Sequence, residues 1–149
     1  MKTLTQNSVL AIALLLTMAM LITSEANGRL LVDRETVVVK NDISGENITI
    51  HCYSSDDDLG VHTLPYAANF TWYFHVSVGG TTKFYCDLTT GHGSGNYGVF
   101  DWRLETRCDQ YCLWLIQAYG PCLVQTAYAG HLYCQPWKKP PHNIKAFPS

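Results

Sequence analysis

The chain has 149 residues, of which 15% are charged and 12% are aromatic, and its net charge is -2. Soluble domains usually contain about a quarter charged residues. The chain is too short for two full domains and too rich in apolar and aromatic residues for a disordered protein. The charge balance also excludes a protein held to nucleic acid or to an acidic membrane surface by electrostatic attraction.

The N-terminus has the pattern of a secretory signal peptide. Lys2 precedes an apolar run from Val9 to Ile22, which is shorter than a membrane-spanning helix. Ser24 and Ala26 place small residues at the positions that a signal peptidase requires. We predict that residues 1–26 are removed, although an uncleaved anchor is the alternative. The remaining chain is then secreted and extracellular, with no stable membrane insertion.

The chain contains six cysteines, an even number that is typical of disulfides in a small secreted domain. They are Cys52, Cys86, Cys108, Cys112, Cys122 and Cys134. Sequence alone does not choose their pairing. Strand alternation turns Cys52, Cys86 and Cys112 toward the core, where a disulfide can join two sheets. On one strand, Cys108 and Cys112 would lie about 13 Å apart, beyond disulfide reach. A helix or loop there would remove that restriction.

Two sequons agree with secretion. Asn47 begins Asn-Ile-Thr and Asn69 begins Asn-Phe-Thr. Both asparagines are predicted sites of N-glycosylation if they are exposed.

Apolar and polar residues alternate with a period of two over most of the chain, which predicts strands. The predicted strands are 36–41, 48–53, 70–76, 84–88, 100–104, 111–118 and one or two within 124–134. A short helix would look similar at 111–118, but no convincing helical period follows the signal peptide. We predict an all-β fold over residues 27–134, a small disulfide-stapled antiparallel β-sandwich of seven to eight strands.

The connections between the predicted strands differ in length. Residues 42–46 are predicted to form a hairpin connection. Ser54–Asn69 is a long connection, and the glycine-rich segment Thr89–Gly98 is expected to be a mobile loop. Because both segments are long and polar on a rigid frame, we predict that they contact a partner, with Asp56, Asp57 and Asp58 as candidate contact residues.

A proline-rich C-terminal tail follows the predicted domain. Residues 135–149 hold four of the six prolines and show no strand pattern. Within the tail, Trp137–Pro141 is compatible with a membrane or partner contact, but an extended, disordered tail is favoured.

No motif predicts a catalytic centre, a cofactor or a metal. His51 and Cys52 are neighbours on a strand and point to opposite faces, so they cannot act as a base and a thiol nucleophile. Cys108-x3-Cys112 lacks the second ligand pair of a zinc site. Residues 93–98 fit GxGxxG by letter, but a strand pattern follows them where a dinucleotide site needs a helix.

The three consecutive aspartates are also weak evidence for a metal. Asp56–Asp58 lacks the alternating spacing and the closing glutamate of an EF-hand calcium loop. A turn stabilised by aspartate side chains is the better interpretation.

The segment His51-Cys52-Tyr53-Ser54-Ser55-Asp56-Asp57-Asp58-Leu59-Gly60 resembles the HC-x-S-x-DDDLG signature of the plant self-incompatibility protein S1 family, the S-protein homologues. The resemblance covers about residues 35–125. Further matching segments are Val39–Ile43, Trp72–Phe74, Thr81–Cys86, Phe100–Trp102, Cys112–Trp114 and Gly120–Cys122. The chain departs from the family pattern at Lys83, Trp102 and Arg103. Cys134 and the tail extend past the usual core.

The resemblance implies a small secreted β-sandwich with disulfides and no catalytic centre. The founding poppy members are recognition ligands that bind a pollen surface receptor and trigger calcium influx and growth arrest. By this resemblance the partner is a cell-surface receptor, and we expect the protein to be a monomer.

Two other functions are considered. One is a secreted defence protein that binds glycans or microbial surfaces, which exposed aromatic residues in Tyr66–Tyr73 would favour. The other is a secreted ribonuclease, which would need histidines in its own catalytic motifs. The six histidines are scattered along the chain, so this possibility is disfavoured.

Overall fold

The structure of the protein, a computed structural model, describes residues 6, 8–16, 34–77 and 79–141. The chain divides into two compact units, Met1–Val32 and Asp33–Ser149. In the first unit, residues 8–16 are helical, and no helix among the described residues is long and apolar enough to cross a membrane. The predicted cleavage site at Ser24–Ala26 lies outside the described residues.

Nine strands in the described part of the second unit form two facing sheets. They are β1 Arg34–Asn41, β2 Ile48–Tyr53, β3 Asp58–Leu64, β4 Asn69–His75, β5 Phe84–Thr90, β6 Gly93–Phe100, β7 Tyr111–Gln117, β8 Gly120–Gln125 and β9 His131–Cys134. The five-stranded sheet has the order β4-β1-β7-β8-β9, and the four-stranded sheet has the order β3-β2-β5-β6. This architecture confirms the predicted β-sandwich. One sheet is mixed, because β1 and β7 pair in parallel.

A continuous apolar core fills the space between the sheets. The five-stranded sheet contributes Val37, Val39 and Trp114, and the four-stranded sheet contributes side chains such as Ile50 and Leu88. Their alternation along each strand is the period of two seen in the sequence. Burial of each such side chain stabilises the fold by about 1.5–3 kcal/mol.

The prediction of a strand at residues 100–104 is wrong. Strand β6 ends at Phe100, and helix α1 runs from Trp102 to Cys108. Asp101 starts the helix, because its carboxylate accepts hydrogen bonds from the backbone N–H groups of Arg103 and Leu104 at 2.8 and 2.9 Å. Three alternating residues were too few to distinguish a strand from the first turn of a helix.

The predicted hairpin at residues 42–46 is also wrong, because the chain crosses there from one sheet to the other. Buried Asn41 fixes this crossover. Its side-chain N–H donates to the carbonyls of Glu46 and Leu64, and its oxygen accepts from the N–H of Ile43. One amide side chain therefore ties three segments together.

Two predicted loops contain strands. The long connection after β2 holds β3, an edge strand that pairs only with β2. Strand β3 contains Asp, Gly, His and Thr and few apolar residues, so its sequence does not show the clear alternation by which the other strands were predicted. The segment 89–98, predicted to be mobile, is a hairpin in which β6 pairs along its length with β5.

Residues 124–134 belong to two strands rather than one, which was one of the two predicted alternatives. Strand β8 ends at Gln125, a 3-10 turn covers Thr126–Tyr128, and β9 begins after Gly130. Gly130 adopts a φ of 78°, which favours glycine, so the break lies where the sequence indicated it.

All six cysteines form disulfides, and each of these links neighbouring elements. The pairs are Cys52–Cys86 on β2 and β5, Cys108–Cys112 between α1 and β7, and Cys122–Cys134 on β8 and β9. The predicted core-facing orientation of Cys52, Cys86 and Cys112 is confirmed by their burial. The expectation that a disulfide joins the sheets is wrong. Because Cys108 ends a helix, the strand-based restriction on its pairing with Cys112 does not apply.

The described part of the tail is docked against the sandwich. The Trp137 indole N–H donates to the Ala118 carbonyl at 2.9 Å, and the Trp137 ring contacts Tyr97 edge to face. The Tyr97 hydroxyl donates to the Pro136 carbonyl and accepts from the Lys138 N–H, both at 2.9 Å. Residues 135–139 thus form a strap from β9 of one sheet to β6 of the other, and the expectation of a disordered tail is wrong for these residues.

We predict that the three disulfides contribute unequally to stability. Their sequence separations are 34, 12 and 4 residues for Cys52–Cys86, Cys122–Cys134 and Cys108–Cys112. Loop-closure entropy then gives losses of about 4, 3 and 2 kcal/mol when each pair is replaced by alanine. Denaturant unfolding of the three double variants measures this order, and the reverse order would contradict it.

Gly120 tests the docking of the strap. A Cβ atom at Gly120, whose φ is +143°, would collide with the Gln135 carbonyl oxygen. Gly120→Ala should therefore displace the strap, lower the free energy of unfolding by about 1–3 kcal/mol and speed amide exchange at Lys138. Gly98→Ala is the matched control, because its Cβ would meet Tyr85 at an ordinary 3.8 Å. Equal exchange in both variants would argue against a docked strap.

Candidate functional site

The connections between strands lie at two ends of the sandwich. One end, which we call the loop end, carries the connections β2–β3, β4–β5 and β6–β7. The opposite end, the tail end, carries the β1–β2 and β3–β4 connections and the strap. Asn47 and Asn69 are both exposed at the tail end, so glycans on these predicted sites would leave the loop end free.

A tight acidic turn projects from the loop end. Ser54–Asp57 reverses the chain between β2 and β3, and the Ser54 N–H donates to the Asp57 carbonyl at 2.8 Å. The Ser54 hydroxyl accepts from the N–H groups of Asp56 and Asp57 at 3.2 and 3.0 Å. The backbone of this turn is therefore held by three hydrogen bonds while its carboxylates face solvent.

The three predicted contact residues have different surroundings. Asp58 begins β3, and its carboxylate accepts from the Gly60 N–H at 2.9 Å and contacts His51 Nε2 at 2.7 Å. Asp57 has a long contact of 3.5 Å with the Ser54 hydroxyl. Among the described residues, the Asp56 side chain has no hydrogen-bond or ion-pair partner. Asp58 is thus a structural residue, and Asp56 is available to a partner.

An open cleft of about 490 Å³ adjoins the acidic turn on the outer face of the four-stranded sheet. His51 and Tyr53 of β2 lie there with ring centroids 5.4 Å apart. Asn96 of β6 donates hydrogen bonds to the Tyr53 hydroxyl and to Asp87 at 2.8 and 2.9 Å. The cleft is walled by aromatic rings and carboxylates. Tyr53, Asp58 and Asp87 are held by neighbouring side chains, whereas the Asp56 carboxylate is not.

The structure separates the acidic turn from the turn of the second predicted partner-contacting segment. The turn of the β5–β6 hairpin lies at the tail end, opposite the acidic turn, and Thr90 and Glu46 fix its backbone through hydrogen bonds to Gly93 and Gly91. The acidic turn and this hairpin turn therefore cannot form one continuous surface, although residues 65–69 of the first segment also lie at the tail end.

The other side chains that the sequence analysis considered as metal ligands or catalytic groups do not come together in one site. Cys108 and Cys112 are bonded to each other, so they are not zinc thiolates. No cluster of three or more potential metal-binding side chains occurs within the described residues. His51 lies on the outer face of the four-stranded sheet, whereas His62 faces inward and stacks on Phe70 at 3.9 Å. These two histidines cannot act on one substrate.

The aromatic residues of 66–73 are only partly exposed. Tyr66 and Tyr73 are 53% and 55% exposed, but Trp72 is buried in the core. Tyr73 lies on the outer face of the five-stranded sheet beneath the Arg34 guanidinium, which is 4.1 Å from its ring centroid. The exposed rings are therefore single residues rather than a continuous surface.

Sequence reasoning missed one feature of the loop end. Trp102 is 55% exposed at the start of α1, and it lies across a cleft from Lys83 and Tyr85. The signal was present in Asp101, an N-cap residue, which would have placed Trp102 on a helix outside the core.

The carboxyl of Asp58 has a pKa below its ordinary value, mainly because of the Gly60 hydrogen bond and then because of the bond from His51. A carboxylate with a lowered pKa stabilises the folded turn above its unfolded pKa of about 3.9, and this stabilisation is lost as the pH falls through the folded value.

We expect an NMR titration of the Asp58 carboxyl to give a midpoint below about 3.9, with the Gly60 amide shift following the same midpoint. His51→Gln should raise that midpoint only in part, because the Gly60 bond is the larger cause and remains. A full return to the ordinary value in His51→Gln would show instead that His51 dominates.

Comparison with known proteins gives consistent matches over this domain. The model of the family described as plant self-incompatibility protein S1 matches residues 36–137. S-protein homolog 5 of Arabidopsis thaliana is 31% identical over 106 residues, which covers 70% of this chain and 80% of that protein. S-protein homolog 29 of the same plant is 33% identical over 108 residues, which covers 70% and 78% of the two chains.

A solved structure shows the same fold. It is a structure of an SPH (self-incompatibility protein homologue), from a widespread family described as small, highly stable, secreted proteins from plants. The TM-score is 0.51 at 15% identity, and the match covers 73% of this chain and 96% of the other. The chain therefore belongs to the plant self-incompatibility protein S1 family, the S-protein homologues, which are secreted plant proteins not known as enzymes.

Proposed function

We propose that this S-protein homologue is a secreted, non-enzymatic ligand that binds a receptor on the surface of plant cells through its loop end. The observation that carries the proposal is the acidic turn Ser54–Asp57, whose backbone is fixed while the Asp56 carboxylate is left without a partner among the described residues. A preorganised turn loses little conformational entropy on binding, which favours recognition.

The arrangement of the molecule supports this orientation. The tail end is closed by the strap and carries both sequons, so the loop end is the accessible one if the sequons are glycosylated. The carboxylates of Asp56 and Asp57 would steer a partner surface that carries positive charge. The receptor contact is then expected to weaken as salt concentration rises.

A secreted defence protein that binds glycans or microbial surfaces is the second candidate. The exposure of Tyr66 and Tyr73 favours it. Tyr73 lies on the five-stranded sheet and Tyr66 in the β3–β4 connection, and no ring contact joins them among the described residues, so this support is weaker than that for the loop end. A glycan array tests it directly.

The receptor proposal is tested by adding the secreted, oxidised protein to living pollen and to vegetative cells of the source plant. Surface binding and cytosolic calcium are recorded together. Saturable binding to one cell type, with or without a calcium rise, supports a receptor ligand, and the calcium rise decides whether signalling resembles that of the poppy proteins. Absence of binding to both cell types contradicts the proposal.

The aspartate variants locate the contact. Asp56→Asn should weaken binding about tenfold with an unchanged melting temperature, because its side chain supports no part of the fold. Asp58→Asn should lower the melting temperature, because it weakens the bonds to Gly60 and His51. Asp109→Asn, an exposed position at the same end, is the charge-matched control. Equal binding by the Asp56 and Asp109 variants would place the contact elsewhere.

A further inference from the structure

A second cleft lies at the loop end, on the opposite side of Ser55 from the acidic cleft. Its volume is about 520 Å³, within the range of small-ligand sites. Its lining residues come from the acidic turn, the segment before β5, β5 itself and the start of α1. They are Ser55, Gly80, Thr81, Lys83, Tyr85 and Trp102.

Two aromatic rings wall this cleft and are open to solvent. Trp102 is 55% exposed and Tyr85 is 37% exposed. Tyr85 pairs with Gly98 of β6. Because glycine has no side chain, the Tyr85 ring is not covered by a side chain at that position of β6. An indole of this exposure contributes little to the core, and rigid exposed aromatic rings are the groups that most often anchor ligands.

The charge of this cleft is opposite to that of the acidic cleft. Lys83 lines it, and the Arg103 guanidinium lies 5.2 Å from the Trp102 ring centroid. No carboxylate is among the described residues that line it, although Thr81 and Lys83 also line an adjoining cleft with Asp56 and Asp57. The carboxylate of nearby Asp101 already accepts hydrogen bonds from backbone N–H groups in the first turn of α1. The cleft therefore combines two ring faces with positive charge.

We propose that this cleft binds an acidic oligosaccharide, a sugar chain whose units carry carboxylates, as in uronates. The C–H face of a sugar ring can stack on Trp102 or Tyr85, and its hydroxyls can bond to Ser55 and Thr81. The sugar carboxylate is matched by Lys83. One ligand class thus satisfies the rings, the hydroxyls and the charge, whereas an acidic peptide would satisfy the charge and leave the ring faces without a specific partner. The proposal does not rest on the receptor contact at Asp56, although Ser55 of the same turn lines both clefts.

The test is a calorimetric titration of the secreted protein with trigalacturonate in calcium-free buffer, so that no metal bridges the sugar to the acidic turn. Saturable binding is expected. The fully methyl-esterified trisaccharide should bind at least about tenfold more weakly, because it lacks the charge that Lys83 recognises. A Glu-Gly-Glu-Gly-Glu peptide is the acidic control and should not bind measurably.

Variants assign the binding to the cleft. Trp102→Ala and Lys83→Gln should each weaken trigalacturonate binding about tenfold, and Trp102→Phe and Lys83→Arg should restore most of it. Tyr73→Ala and Lys139→Gln, an exposed ring and an exposed lysine elsewhere, should leave binding unchanged. Circular dichroism and the melting temperature confirm that each variant is folded.

Several outcomes would overturn the proposal. Equal affinity for the esterified sugar would show that charge is not recognised, and tighter binding of the peptide would assign the cleft to an acidic protein segment. No binding of trigalacturonate at millimolar concentration, or binding that the Trp102 and Lys83 variants leave unchanged, would exclude an acidic-sugar site in this cleft.

Discussion

The structure depends on an apolar interface between two sheets that no disulfide crosses. Every disulfide links elements that are already neighbours, so the facing of the sheets rests on buried side chains from both. Trp114 is central, because its ring is fully buried and its indole N–H donates to the Val99 carbonyl of the opposite sheet at 2.8 Å. Disulfides stiffen each layer, and the core sets how the layers face each other.

The two ends of this sandwich have different chemistry because they are closed differently. At the tail end, the side chains of Asn41 and Trp137 donate hydrogen bonds to backbone carbonyls, and the strap covers the core. At the loop end, the connections carry exposed carboxylates on one side and exposed rings with positive charge on the other. A rigid frame with one free end suits recognition, since the loops gain fixed positions without joining the core.

Sequence periodicity predicted the sandwich and the core-facing cysteines because alternation reports burial directly. It missed α1 because Phe100, Trp102 and Leu104 alternate like a strand while Asp101 caps a helix. It missed the docked strap because the partners of Trp137 are Tyr97 and Ala118, which are distant in sequence. The sequence predicted a turn stabilised by aspartate side chains, but the Ser54 hydroxyl holds the turn and only Asp58 accepts a backbone N–H, that of Gly60. The separate roles of the aspartates depend on hydrogen bonds that only the fold defines.

The parallel pairing of β1 with β7 has a consequence for how the molecule is made. Thr36 pairs with Tyr111, so the first strand of the domain gains its second neighbour only after most of the chain has been synthesised. Until then one edge of an apolar strand is open, and such edges invite aggregation. Cys52 and Cys86 belong to the other sheet and can join earlier. Assembly of the five-stranded sheet is thus a late and non-local event, which slows folding.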